Sequence, residues 1–254
     1  MFQLPDRLPR ALSIIAGCIA LSAASAPAAA APQRTWNYLT TGNGHGFGVY
    51  DTNLHKIVTF LEHPYRYLRP RADPKSDGVG RRNLAFDFYF GIRAPNNAGS
   101  TWLNAATASD PSYVDQTNII HAPFTANGIT ADSYFFEPFG YEGNAMIGLL
   151  HAPGAASAFS LFNFHMGGTA QSDTSPDANG ESTMYLADSQ AIVETGPGGG
   201  ALVYVALNGL DNYECAPGTA YNTVKNGGNL PMHGDCSTNS DIVPAFQKQL
   251  GGDG

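Results

Sequence analysis

The sequence predicts an all-β protein, an antiparallel β-sandwich closed by a short C-terminal helix. Three observations carry this. Short apolar runs rich in aromatic and β-branched residues recur along the 254 residues, between turns that draw on 29 glycines and 17 prolines. Residues 84–93 set Leu84, Phe86, Phe88, Phe90 and Ile92 against Ala85, Asp87, Tyr89, Gly91 and Arg93, the period-two pattern of a half-buried strand. Before the last few residues, no long segment keeps a helical period. The 14 Phe and 12 Tyr, within a hydrophobic fraction of 43%, are ample for a core. Charged residues make up only 13% of the chain, about half the usual share.

The first 31 residues read as a signal peptide. Arg7 and Arg10 precede the apolar run "ALSIIAGCIALSA", and "SAPAAAAPQ" offers small residues for cleavage near Ala30 or Ala31. "IAGC" also has the form of a lipoprotein box ending at Cys18, but the apolar run continues past it. Soluble secretion, outside the cell or into the periplasm, is therefore favoured over a lipid anchor. No later segment is long and apolar enough to span a bilayer.

The sandwich is expected over residues 32–240. In "TTGNGHGFGVYD" glycine stands at every second position from Gly42 to Gly48, but no Walker lysine and no amphipathic helix follow. A phosphate loop needs a helix N-terminus behind it, so this stretch is read as a bend leading into a strand. "KIVTFLEH" then reads as a strand. "DSYFFEPFGYEGNAMIGLLHAP" reads as two strands around a glycine-containing turn. "FSLFNFHMG" and "ALVYVAL" are apolar on both faces, as in strands enclosed between layers. At the end, Asp241 can cap a helix over "IVPAFQKQL" with Pro244 in its first turn, closed by Gly251 and Gly252. Residues 241–254 are thus expected to be a short helix and the start of a linker to a following domain.

Without the leader two cysteines remain, Cys215 and Cys236. In an oxidising compartment they most simply form one disulfide around a loop rich in Gly, Asn and Pro. A zinc site using His233 with the two sulfurs is the sharper alternative, but it offers three ligands and no second close pair. Asp173, Ser175, Asp177, Asn179 and Gly180 place oxygens before a glycine. The twelfth position counted from Ser175 is Leu186, so the EF-hand reading fails. An irregular calcium site near Asp173, Asp177 and Asn179 stands beside the simpler reading of a polar turn.

The formal net charge is −8, and it is unevenly placed. Between Ala94 and Val224 there is no Lys or Arg, whereas Arg66, Arg69, Arg71, Lys75, Arg81 and Arg82 crowd one segment. An acidic body argues against a nucleic-acid partner, because it would repel phosphate. The basic segment either pairs with the carboxylates of its own domain or meets a polar ligand or a following domain. No nucleophile elbow, H-E-x-x-H or Walker motif is present, and the seven histidines have no metal-ligand spacing. His121 and His165 read as hydrogen-bonded core histidines. Glu137, Glu142 and Glu194 are the carboxylates of interest for glycoside hydrolysis, which needs two of them facing each other across one bond; sequence does not pair them.

"TGNGHGFGVYD", "FLEHPYRYLRP", "RRNLAFDFYFGIR" and "SYFFEPFGYEGNAMIGLL" together resemble the N-terminal β-supersandwich region of exported bacterial glucoamylase-like proteins, the glycoside hydrolase family 15 type. The likeness runs over roughly residues 35–250 and lies in pattern and phrase rather than in a short signature. It implies a supersandwich placed before an (α/α)₆ barrel whose two glutamates act as general acid and general base. No position here matches those glutamates, so the resemblance implies an α-glucan enzyme context, a helical barrel as partner, and no catalytic residue or cofactor in this chain. It also implies that Arg66, Arg69 and Arg71 lie on a docking or rim loop. Trp36 or Trp102 could then stack on sugar, with core burial the competing outcome for each. Two other functions suit such a sandwich: a free-standing carbohydrate-binding module, or a mutarotase-type enzyme with two histidines and a glutamate in one cleft.

Overall fold

The computed structural model describes residues 37–61, 85–95, 100–164, 180–196, 201–215, 219–238 and 242–251. In chain order the strands are β1 (Tyr38–Gly42), β2 (Phe47–Asp51), β3 (Lys56–Leu61), β4 (Ala85–Arg93), β5 (Ser100–Trp102), β6 (Thr107–Ala108), β7 (Ser112–Tyr113), β8 (Ile120–Ala126), β9 (Ile129–Phe136) and β10 (Ile147–His151). Then come β11 (Ser157–Phe164), β12 (Glu181–Leu186), β13 (Ala191–Thr195), β14 (Ala201–Val205), β15 (Asn212–Glu214), the helix α1 (Thr219–Lys225), β16 (Ser237–Thr238) and β17 (Ala245–Gln249). They form three antiparallel sheets. The largest runs β1-β2-β3-β4-β11-β17-β15 with β5 on β4; the second runs β10-β9-β8-β6 with β7 on β8; the third runs β14-β13-β12-β16.

The fold is all-β and sandwich-like, as the alternation predicts. Phe88 and Phe90 of β4 meet Phe135 of β9 at 5.3 and 5.5 Å between ring centroids, joining the first sheet to the second. Phe162 and Phe164 of β11 meet Tyr204 of β14 at 4.9 and 5.7 Å, joining the first sheet to the third. Offset and edge-on ring pairs of this kind add to the stabilisation from burial alone. "SYFFEPFGYEGNAMIGLL" folds as expected, with β9 and β10 pairing from Phe136↔Ile147 outward.

Three expectations are corrected. β4 is buried on both faces rather than half-buried: Phe88, Phe90 and Ile92 enter the main core, while Tyr89 joins a second core with Trp102, Phe159, Leu161, Ala220 and Val224. The cover on that second face is α1, which local periodicity in β4 cannot announce. β14 is not enclosed between layers: Val203 and Val205 are exposed, while Tyr204 is buried and Leu202 packs partly against the core. The helix expected over residues 241–250 is instead the strand β17, bonded to β11 on one side and β15 on the other. Ala245, Phe246 and Gln247 are all buried there. The Gln247 side chain accepts from Leu230 N at 3.0 Å and donates to Asn229 at 2.8 Å. Two waiting strand edges outweigh the local helix preference of that segment.

Candidate functional site

The glycine-rich stretch is a hairpin turn between β1 and β2, and Asn43 organises it. Asn43 Oδ1 accepts from His45 N at 2.9 Å and Gly46 N at 2.8 Å, an Asx-type closure of the turn. Asn43 Nδ2 shares its hydrogens among the carbonyls of Pro138, Tyr141 and Gly143 at 3.1–3.3 Å. One side chain therefore clamps the loop after β9 against the hairpin. Gly44 has φ +90, and a Cβ on Gly46 would lie 2.3 Å from Glu137 Oε2 and 2.1 Å from Asn144 Oδ1. Glycine is required at position 46 because the backbone crosses directly over a carboxyl group.

Glu137 is fully buried beneath that crossing. Its backbone N–H donates to Thr41 Oγ1 at 2.9 Å, but neither carboxyl oxygen has a hydrogen-bond partner among the described residues, and nor does Asn144 Oδ1. Burial pushes the Glu137 carboxyl up to about 8. The group is thus held as a neutral acid at pH 7, with no hydrogen-bond partner for its side chain among the described residues. A buried acid of this kind can hold or release one proton. Glycoside hydrolysis needs a second carboxyl across the bond.

The other two glutamates of interest do not supply it. Glu142 lies on the same loop but faces solvent. Glu194 sits buried on β13 in the third sheet, where the Tyr204 hydroxyl donates to it. Glu181 and Glu214 are likewise buried: Glu181 accepts from Ile242 N and Glu214 from Cys215 N, both at 2.8 Å. These carboxylates tie strands and loops together. His121 Nε2 donates to the Asp132 carboxylate at 2.7 Å, and His151 lies 4.0 Å from the same carboxylate, on the half-exposed face of the second sheet rather than in a cleft.

The loop that follows Glu137 carries exposed aromatic rings. Phe139 is 90% exposed and Tyr141 54%, on the loop that Asn43 clamps. Along β1, Tyr38 is 54% exposed, and Tyr113 is 38% exposed with its hydroxyl donating to Thr40 O and accepting from Thr40 N, both at 2.9 Å. Sequence reasoning weighed only tryptophans for sugar stacking and missed these four. The available signal was "EPFGYEG", two rings set between Pro and Gly, where a turn holds side chains away from the core.

Among the sequence-stated residues, Trp102 is a core residue at 3% exposure. Its ring stacks on Tyr221 at 5.8 Å, meets Tyr89 edge-on at 5.4 Å, and its indole N–H donates to Tyr221 O at 3.2 Å. No face of it is open to sugar. Cys215 and Cys236 are disulfide-bonded. The ligand atoms of Glu214, Cys215, His233 and Cys236 lie within 4.8 Å of one another, but the bond between the sulfurs removes both as thiolate ligands and corrects the zinc alternative. Arg66, Arg69, Arg71, Trp36, Cys18, His165, Asp173, Asp177 and Asn179 lie outside the described residues. Among the described residues no helix is long and apolar enough to cross a membrane.

No family model and no curated protein sequence matches the chain. A solved structure described as bacterial glucoamylase complexed with acarbose is similar in fold, with a TM-score of 0.58 and 8% sequence identity. The likeness covers 84% of this chain and 30% of that one.

Proposed function

We propose that this chain is the non-catalytic β-sandwich part of an exported, α-glucan-degrading glycoside hydrolase of glucoamylase type. The observation that carries the reading is the fold likeness, which takes in most of this chain but less than a third of the glucoamylase it resembles. The rest of such an enzyme is the helical barrel, and it is there that the acid and base glutamates are expected. Within this chain the buried glutamates support the reading, because Glu181, Glu194 and Glu214 each hold a strand or loop and the Glu137 carboxyl has no hydrogen-bond partner among the described residues. In this picture the leader directs export, and Arg66, Arg69 and Arg71 face the barrel. A free-standing glycan-binding module is the second reading, favoured by the exposed rings of Phe139 and Tyr141. A mutarotase-type enzyme has less support, since the two histidines that share a carboxylate do so at Asp132 on an open sheet face.

Purified residues 32–254 are expected to release no glucose from starch, dextrin or maltose in a sensitive coupled assay. Sustained turnover that disappears in Glu137→Gln, Glu142→Gln or Glu194→Gln would place the active site in this sandwich and overturn the reading.

A further inference from the structure

We propose that the outer strand of the first sheet among the described residues, β1, together with the loop after β9, is a binding surface for a neutral glycan chain. This rests on the α-glucan reading above and adds where the sugar is held. Tyr38 and Thr40 share the outward face of β1, the Tyr113 ring is pinned to Thr40 by two hydrogen bonds, and Asn43 at the strand's end holds the loop bearing Phe139 and Tyr141. From Tyr38 to Asn43 an extended chain covers roughly 17 Å, room for several sugar units in line.

The rings stand out because the backbone holds them there. The carbonyls of Pro138, Tyr141 and Gly143 are all bonded to Asn43, so the loop cannot fold Phe139 inward without breaking that clamp. A single exposed aromatic is ordinary, but four carried by β1 and by segments hydrogen-bonded to Thr40 and Asn43 mark an interaction surface. Aromatic rings present flat apolar faces to the C–H faces of a sugar, and the tyrosine hydroxyls can bond its hydroxyls. Fixing the rings before binding lowers the ordering cost.

Charge and backbone chemistry narrow the occupant. Loop and strand residues between Ala94 and Val224 carry no Lys or Arg to attract a sulfated or uronic polymer, and their carboxylates repel one. A peptide strand is disfavoured because Tyr113 occupies both the N–H and C=O of Thr40, and Asn118 Nδ2 donates to Gly42 O at 2.8 Å. Those are groups an added strand would need.

The test is affinity electrophoresis of the full chain in gels containing soluble starch or dextran sulfate. The expected result is retardation by starch alone, with apparent Kd raised at least about tenfold in the Phe139→Ala/Tyr141→Ala double variant. Phe139→Trp/Tyr141→Trp keeps the rings and should keep the binding, which separates ring chemistry from misfolding. An unretarded wild-type chain, equal retardation of the alanine variant, or loss of binding in both double variants overturns the proposal. So does concentration-dependent self-association that the alanine variant abolishes, if starch leaves the wild type unretarded. Failure here leaves the companion-domain reading standing, because that reading is decided by glucose release.

Discussion

Glu137 is a buried carboxyl with no hydrogen-bond partner among the described residues. Its carboxyl titrates near 8 in the folded chain against an ordinary 4.5, with burial the cause. Below the ordinary value the group is protonated folded or unfolded and costs nothing. As pH rises, the unfolded chain ionises first, so stability falls until the folded-state value is passed. The melting temperature of the wild type is therefore expected to drop between about pH 5 and pH 8. Glu137→Gln removes the ionisable group while keeping a similar shape, so it should flatten that drop and be more stable at pH 8 by on the order of 4 kcal/mol. Parallel thermal melts across this range decide it, and identical slopes in both proteins would refute the assignment. The role of Gly46 follows from the same contact, since any side chain there would press on the carboxyl.

At the scale of elements, α1 shows how a loop becomes structure. It lies inside the segment closed by Cys215 and Cys236, 21 positions apart, and lays Ala220 and Val224 on Trp102 and Phe159. Those two small apolar residues stand four apart, one turn of helix, a signal easily lost in seven residues. Replacing both cysteines by serine is expected to cost roughly 3 kcal/mol, chiefly by freeing the unfolded chain. Amide exchange should rise most in α1, where the cover over Tyr89 and Phe159 is lost first. Denaturant melts with exchange mapping test this; uniform exchange across the sheets would mean that α1 holds its place without the bond. β17 carries the opposite lesson. Residues 245–249 have a helix-compatible composition, but pairing with β11 and β15 satisfies their backbone and buries Phe246. Long-range partners decided what local propensity left open.

For the whole molecule, the charge asymmetry remains the feature most open to experiment. Lys56 pairs with Asp87, and Arg93 donates to Asn229 at 2.7 Å and Gly228 O at 2.6 Å, so these two cations serve the fold itself. We propose that Arg66 and Arg69 serve docking instead. Replacing both by alanine should then shift stability by under about 0.5 kcal/mol, as surface changes usually do. Calorimetry of the double variant checks this, and a large loss would mean that the guanidinium groups hold carboxylates within the sandwich.

Sequence by itself determined the class of this protein. Alternation in β4, the paired runs of β9 and β10, and the spacing of Gly and Pro are local properties, and local geometry sets the side-chain period of a strand. The cysteine pair was legible too, since only two cysteines follow the first 31 residues and they have one possible pairing. The tertiary structure alone decided that β4 has two buried faces, that residues 245–249 are a strand, and that Trp102 is core. It also decided that Glu137 lies under Gly46 and that Asn43 holds the loop bearing Phe139 and Tyr141. Each of these depends on contacts between residues tens of positions apart, and burial is created only when such segments meet.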